Sequence, residues 1–220
     1  MRHSDKIPTP QESMKMGLAV GVEDGTRTLK GSYIIHLVDS DTGEVLHHSE
    51  HSNIVTLDGG VLVMINLASG GTPVPPSQRG ITMLAVGTGA TGPVLNPDAP
   101  DPRQRHLNAE IARKAFSTSV FRNSVGAAVG YPTNVCDFTV TFGVGEAVGP
   151  LNEMGLVRTI SPNLNPAVLN PVPSVFPAYD ATIDLSTYDI LANYTTMGQG
   201  TGPIGKPNNS VLTLTWRLSS

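Results

Sequence analysis

The segment Val211-Leu212-Thr213-Leu214-Thr215-Trp216-Arg217-Leu218 alternates strictly, with Leu212, Leu214, Trp216 and Leu218 on one face and Val211, Thr213, Thr215 and Arg217 on the other. Successive side chains of a strand point to opposite sides, so this period of two requires a half-buried antiparallel strand with Trp216 in the core. Such a strand needs neighbours. The rest of the 220-residue chain offers them between many turns, for it holds 23 glycines and 18 prolines, a content that favours short strands over long helices. A chain of this length buries a core without covalent staples.

The clearest local unit is Gly31 to Thr56, where Tyr33-Ile34-Ile35-His36-Leu37-Val38 and Val45-Leu46-His47-His48 flank Asp39-Ser40-Asp41-Thr42-Gly43-Glu44. β-Forming residues on both sides of a glycine-containing turn predict a hairpin. Thr56-Leu57-Asp58 then opens an apolar run, Gly59 to Ala68, closed by Ser69-Gly70-Gly71. Thr56 or Asp58 can cap a short helix there and the glycines can stop it. A helix apolar around most of its circumference has to be covered by a sheet or by another subunit. Pro73, Pro75 and Pro76 follow as a rigid connector.

Ile81-Thr82-Met83-Leu84-Ala85-Val86 leads into Gly87-Thr88-Gly89-Ala90-Thr91-Gly92, a literal G-x-G-x-x-G after a strand-like run. In a dinucleotide fingerprint these glycines open a helix whose N-terminal amides hold a pyrophosphate. Here Pro93, Pro97, Pro100 and Pro102 forbid a helix until about Gln104, and no Lys-Ser or Lys-Thr follows. The stretch is therefore expected to be the central core strand of the fold, its glycines serving as backbone punctuation, with Gly89→Ala costing modest stability. Asp98, Asp101 and Glu110 flank a helix candidate, Arg103 to Phe116, as caps and solvating charges.

Further along, Ser117 to Val129 is a weak strand or loop, and Val135 to Phe142 is a better strand. Gly143 to Pro150 is expected to turn the chain so that Leu151 to Arg158 returns as a second hairpin. Residues 161–177 hold five prolines among scattered apolar residues, and a loop this long is expected to be pinned by a partner. Tyr188 to Tyr194 and a turn region precede the last strand. Residues 1–30 are polar and without sustained period, an N-terminal arm extended or ordered by neighbours.

Chemistry is sparse in the motifs. The chain has no G-x-S-x-G elbow, no H-E-x-x-H and no C-x-x-C. Cys136 stands alone between Val135 and Asp137, near Phe138, as a buried small hydrophobe. His47, His48 and His51 invite a metal reading, but on a strand His47 and His48 face opposite ways, and solvated strand histidines are the better reading. No residue is assigned a catalytic, cofactor-binding or metal-binding role, and no cofactor is expected. A net charge of −4 with 15% charged residues provides no basic face for direct nucleic-acid binding. The N-terminus carries no signal-like apolar stretch, and no run approaches the roughly 20 apolar residues of a membrane span.

The order of these features resembles small structural and fibre-attachment proteins of tailed bacteriophages. The residues that carry the likeness are Asn53-Ile54-Val55-Thr56, the apolar helix, Ile81 to Gly89, Asn152-Glu153-Met154-Gly155-Leu156 and Leu212-Thr213-Leu214-Thr215-Trp216, over roughly residues 45 to 220. The likeness implies a β-sandwich and a role in assembly, with no catalytic residues to transfer. The N-terminal arm and the proline-rich insertions near 93–102 and 161–177 depart from the pattern.

The expectation is thus a mainly β protein: residues 31–220 as a single antiparallel β-sandwich with one or two short helices and long Pro/Gly-rich loops. Its expected role is a non-enzymatic virion subunit of the tail, neck, baseplate or fibre-attachment region, assembled in the host cytoplasm, with copies of itself and neighbouring virion proteins as partners. A capsid decoration protein is one alternative. The other is a carbohydrate-binding module, for which Tyr131 or Tyr179 would offer stacking surfaces, although aromatics are only 5% of the chain.

Overall fold

The computed structural model describes residues 19–22, 25–68, 80–90, 98–159, 189–197 and 202–220, with side chains described from residue 29 onward except at 64–68. The fold is mainly β. The terminal strand β14 (Ser210–Ser219) lies between β3 (Lys30–Asp39) and β9 (Val135–Phe142), antiparallel to both. Its alternation sets the core in rows: Leu37, Leu212 and Phe142 in one, Ile35, Leu214 and Val140 in the next, Tyr33, Trp216 and Phe138 in the third. Trp216 is fully buried and packs on Tyr33 with ring centroids 5.6 Å apart.

The expected hairpin is present as β3 and β4 (Val45–Val55), with Gly43 at positive φ in the turn. β4 then does something local patterns do not show. It pairs with β3 as far as Asn53, and through Ile54 and Val55 it joins β12 (Ile190–Thr196). One strand thereby belongs to two sheets, a corner of the kind a sandwich uses to fold over itself. The second sheet continues from β12 to β11 (Glu153–Arg158), β5 (Met83–Gly87) and β6 (Glu110–Ala115). Inward-facing Leu84, Val86, Met154 and Leu156 of this sheet share one core with β3, β9 and β14.

The other face of the second sheet is covered as well. Helix α1 (Leu57–Ala68) places Leu62 on Ile190 and Ala192, while Leu107 packs with Ala85, Val157, Leu191 and Tyr194. Hence β5, β11 and β12 are buried at every position, whereas β14 alternates. α1 is capped by Thr56, which accepts a hydrogen bond from the Gly59 amide at 3.0 Å on Oγ1, and from the Gly60 amide on its carbonyl. The glycines expected to stop the helix, residues 91–97 and the 161–177 stretch lie outside the described residues. No helix among the described residues is long and apolar enough to cross a membrane.

Three expectations are corrected. Arg103 to Phe116 is not a helix: residues 103–109 form a loop, and β6 pairs with β5 from Ala115 opposite Met83 to Glu110 opposite Gly87. Glu, Ala, Arg and Lys favour helices locally, but pairing with a buried neighbour outweighs the few tenths of a kcal/mol that separate such residues. A bulge opposite Val86 and Gly87 turns Ile111 and Ala112 both toward the core. Nor do β9 and β11 form a hairpin. The 143–152 connection carries the chain from one sheet to the other, and within it β10 (Gly149–Leu151) pairs with β13 (Ile204–Lys206).

β5 is also the second strand of its sheet, between β6 and β11, and not its centre. The weak 117–129 segment becomes β7 (Thr118–Arg122), which pairs with β9, and β8 (Ala128–Val129), which pairs with β7 at the edge. Within the arm, β1 (Ala19–Val22) and β2 (Gly25–Thr28) form a separate two-stranded sheet.

Candidate functional site

The glycine stretch after β5 does hold an anion, and the anion is the protein's own. Glu153, wholly buried, accepts hydrogen bonds from the amides of Gly89 (3.1 Å) and Ala109 (2.7 Å) on Oε1 and of Asn108 (2.9 Å) on Oε2, where the Tyr194 hydroxyl also donates (3.1 Å). Converging backbone amides are the ordinary chemistry of a phosphate cradle. Here they are spent on a carboxylate, and the Ala90 amide beside them goes to Asn152 Oδ1 at 3.0 Å. Burial, with the Glu153 charge beside it, pushes the Tyr194 phenol well above its usual range. Tyr194 thus stays a donor.

A second set of charges lies under the outer face of the same sheet. Arg105 pairs with Asp58 at 3.1 Å, and Arg113 pairs with Glu110 and Asp189 and donates to Thr159, all with little exposure. Asp58 therefore ties α1 to the 103–109 loop, and Arg113, steadied by Glu110 of its own strand, ties β6 to Thr159 and Asp189 beside β11 and β12. Asp101 caps the turn at Arg103 with a 2.8 Å bond to its amide.

The three histidines divide as their strand requires. His47 and His51 stand opposite Leu37 and Tyr33 on the core-facing side of β4, and His48 stands opposite His36 on the outer side. His47 is half-buried, bonded to Ser49 Oγ at 2.9 Å, and burial together with the neighbouring histidines lowers its affinity for a proton. Among the described residues no three His, Cys, Asp or Glu side chains gather as a metal-ligand set. Cys136 is half-buried, and burial and the adjacent Asp137 carboxylate push its thiol up, which leaves it a poor nucleophile.

Apart from Val61 on α1, the exposed large apolar side chains among the described residues are grouped at the two ends of the sandwich. At one end the loops 39–44, 143–149 and 207–209 are tied together by hydrogen bonds from the Ser40 amide to Asn209 O and from the Gly145 amide to Asn208 O. Glu146 holds the middle loop, accepting from Lys114 Nζ and from the Gly143 amide, both at 2.7 Å, and Lys206 Nζ donates to Gly143 O at 3.0 Å. This stiffened end exposes Val45, Leu46, Val144 and Val148, with Val144 at 55%. At the other end Val125, 83% exposed, and Tyr131 project beside a turn that Asn123 Oδ1 pins through the amides of Val125 and Ala127.

Glu153, Lys114 and Glu146 were not read from sequence as organising residues. The only signal for Glu153 is its place in Asn152-Glu153-Met154-Gly155, since its partners lie 41 to 64 positions away. Comparison with protein-family models gives no match, and neither does comparison with curated protein sequences.

Proposed function

We propose that the chain is a non-enzymatic structural subunit of a tailed-phage virion, assembling with copies of itself in the tail, neck, baseplate or fibre-attachment region. The observation that carries this reading is the pair of ends: each presents exposed apolar side chains on loops already fixed by hydrogen bonds. Fixed loops lose little freedom on docking, so a small apolar contact there gains more affinity than the same area on a floppy segment. Two different patches on opposite ends give a head-to-tail contact, which closes into a ring when the rotation allows.

The resemblance noted in the sequence supports the same reading. Its motifs meet in space, Gly87 and Gly89 against Glu153, and Thr56 and Gly155 against β12, so they knit one framework. The buried charges reinforce that framework.

The test is oligomeric state by native mass spectrometry and light scattering, with gold labelling of intact particles to place the subunit. The wild-type chain is expected to form a defined oligomer. Val144→Asp with Val148→Asp at one end, or Val125→Asp with Tyr131→Asp at the other, should give monomers with unchanged melting temperature. Mixing the two variants should restore a dimer and nothing larger. A wild-type chain that stays monomeric at the highest attainable concentration overturns the proposal.

A further inference from the structure

The inward faces of the two sheets are not apolar all the way across. On β12, Asn193 and Thr195 take the core-facing positions, opposite Leu156 and Met154 of β11. On β4, His47, Ser49 and His51 take them, opposite Leu37, Ile35 and Tyr33. Polar side chains thus stand where a core would continue, at the corner where β4 leaves one sheet for the other. A cleft of about 260 Å3 opens there, lined by Tyr33, His51, Ser52, Asn53, Thr195 and Thr196.

Several polar groups at this corner are under-used. Asn53 Oδ1 and Asn193 Nδ2 are buried and have no hydrogen-bond partner among the described residues, and Asn193 as a whole is 1% exposed. An unpaired buried polar atom costs about 1–3 kcal/mol, so proteins keep one where water or a ligand can serve it. The Tyr33 ring is fixed between His51 and Trp216, at 5.4 and 5.6 Å. Its hydroxyl meets Thr195 Oγ1 only at 3.5 Å, and Thr196 Oγ1 reaches Asp98 O only at 3.4 Å, both long for O–H···O bonds.

We propose that this cleft binds a neutral polyhydroxy ligand, a single sugar ring of a glycan. Among the described residues no Asp, Glu, Lys or Arg lines it, and none of them selects a charged ligand. Hydroxyls, a carboxamide and an imidazole both donate and accept, as sugar hydroxyls do. Ile54 and Pro100 complete the wall with an apolar patch for the C–H face of a ring. The volume lies just under the roughly 300–1,000 Å3 of pockets for drug-sized ligands, which fits one ring and not a chain of them.

The test is titration of the full chain with methyl glycosides of neutral hexoses and N-acetylhexosamines, with glucuronate as the anionic comparator. Saturation-transfer NMR and the His51 ring signals are the readouts. At least one neutral glycoside is expected to bind with a Kd of about 1 mM or tighter, and to shift the His51 ring. Tyr33→Phe and Thr195→Val, which keep shape and lose a hydroxyl, should each weaken it at least tenfold. Ser52→Ala, at an exposed position, serves the same purpose should either variant fail to fold. Absence of binding by every neutral glycoside, preference for glucuronate, or equal binding by the folded variants overturns the proposal.

Discussion

Gly87 and Gly89 lack side chains because the loop before β6 lies where those side chains would be. A Cβ on Gly87 would sit 2.6 Å from both Ala109 O and Glu153 Oε1, and one on Gly89 would collide with the Ala109 amide and lie 2.6 Å from its Cβ. The close approach is what lets the Gly89 and Ala109 amides share one carboxylate oxygen. Gly89→Ala therefore costs more than modest stability, because the obstruction is backbone and cannot swing away. The expected loss is about 1–3 kcal/mol, the range for overpacking a tight site. Gly130→Ala, where a Cβ meets nothing within 4 Å and φ is unstrained, is the matched control and should be neutral. Urea unfolding of both variants decides it, and equal midpoints would refute the packing account.

At the scale of elements, local and tertiary preferences can be set against each other in α1. Glycine is about 1 kcal/mol worse than alanine inside a helix, so propensity alone says that Gly59→Ala stabilises. Yet a Cβ there would strike Ala192 O and approach Ala192 C to 3.0 Å, on the strand α1 packs against. Gly59→Ala is expected to lower the melting temperature by several degrees, given about 2–4 °C per kcal/mol for a chain of this size. A rise would show that α1 can shift outward. The same contest explains what was legible in the sequence. β14, the β3–β4 hairpin and the Thr56 cap are readable because each is written in one continuous stretch of the chain. The composition of β6 favours a helix, and the order of β9 and β11 a hairpin, because their true partners lie elsewhere in the chain. The polar corner carried a signal in the inward positions His47, Ser49 and His51, which becomes meaningful only once β3 fixes which side of β4 is inward.

For the molecule as a whole, the chain passes from one sheet to the other at β4, at Phe116-Ser117, through residues 143–152 and between β12 and β14; at the second of these the Ser117 amide bonds Thr139 O as β6 gives way to β7. The second crossing is fastened by charge. Lys114 of β6 reaches Glu146 and Thr141 O, and nearby Asp137 on β9 is bound by Arg217 of β14 and Arg122 of β7. Burial alone would raise both carboxyls. The arginine bonds to Asp137, and the Lys114 and Gly143 bonds to Glu146, outweigh burial and hold both below the usual carboxylate range. A carboxyl lowered by folding stabilises the native state above its unfolded value, about 3.9 for Asp and 4.3 for Glu, and that contribution is lost as the pH falls through the lowered value. Asp58 runs the other way: burial outweighs Arg105 and raises its carboxyl, so its contribution is present at low pH and lost as the pH rises. Asp39 is lowered too, by the Thr42 and Asp41 amides of its turn, so three lowered carboxyls stand against one raised, and stability is expected to fall on acidification below about pH 4. Asp137→Asn should be less stable than wild type at pH 7 by about 1.5–3 kcal/mol, the worth of hydrogen bonds to a charged group. The difference should shrink as the pH falls below about 4 and through the lowered value, because the wild-type carboxyl is then neutralised too. Chemical denaturation at a series of pH values measures both quantities, and a gap that widens on acidification would mean that the arginines hold β9 without relying on the charge of Asp137.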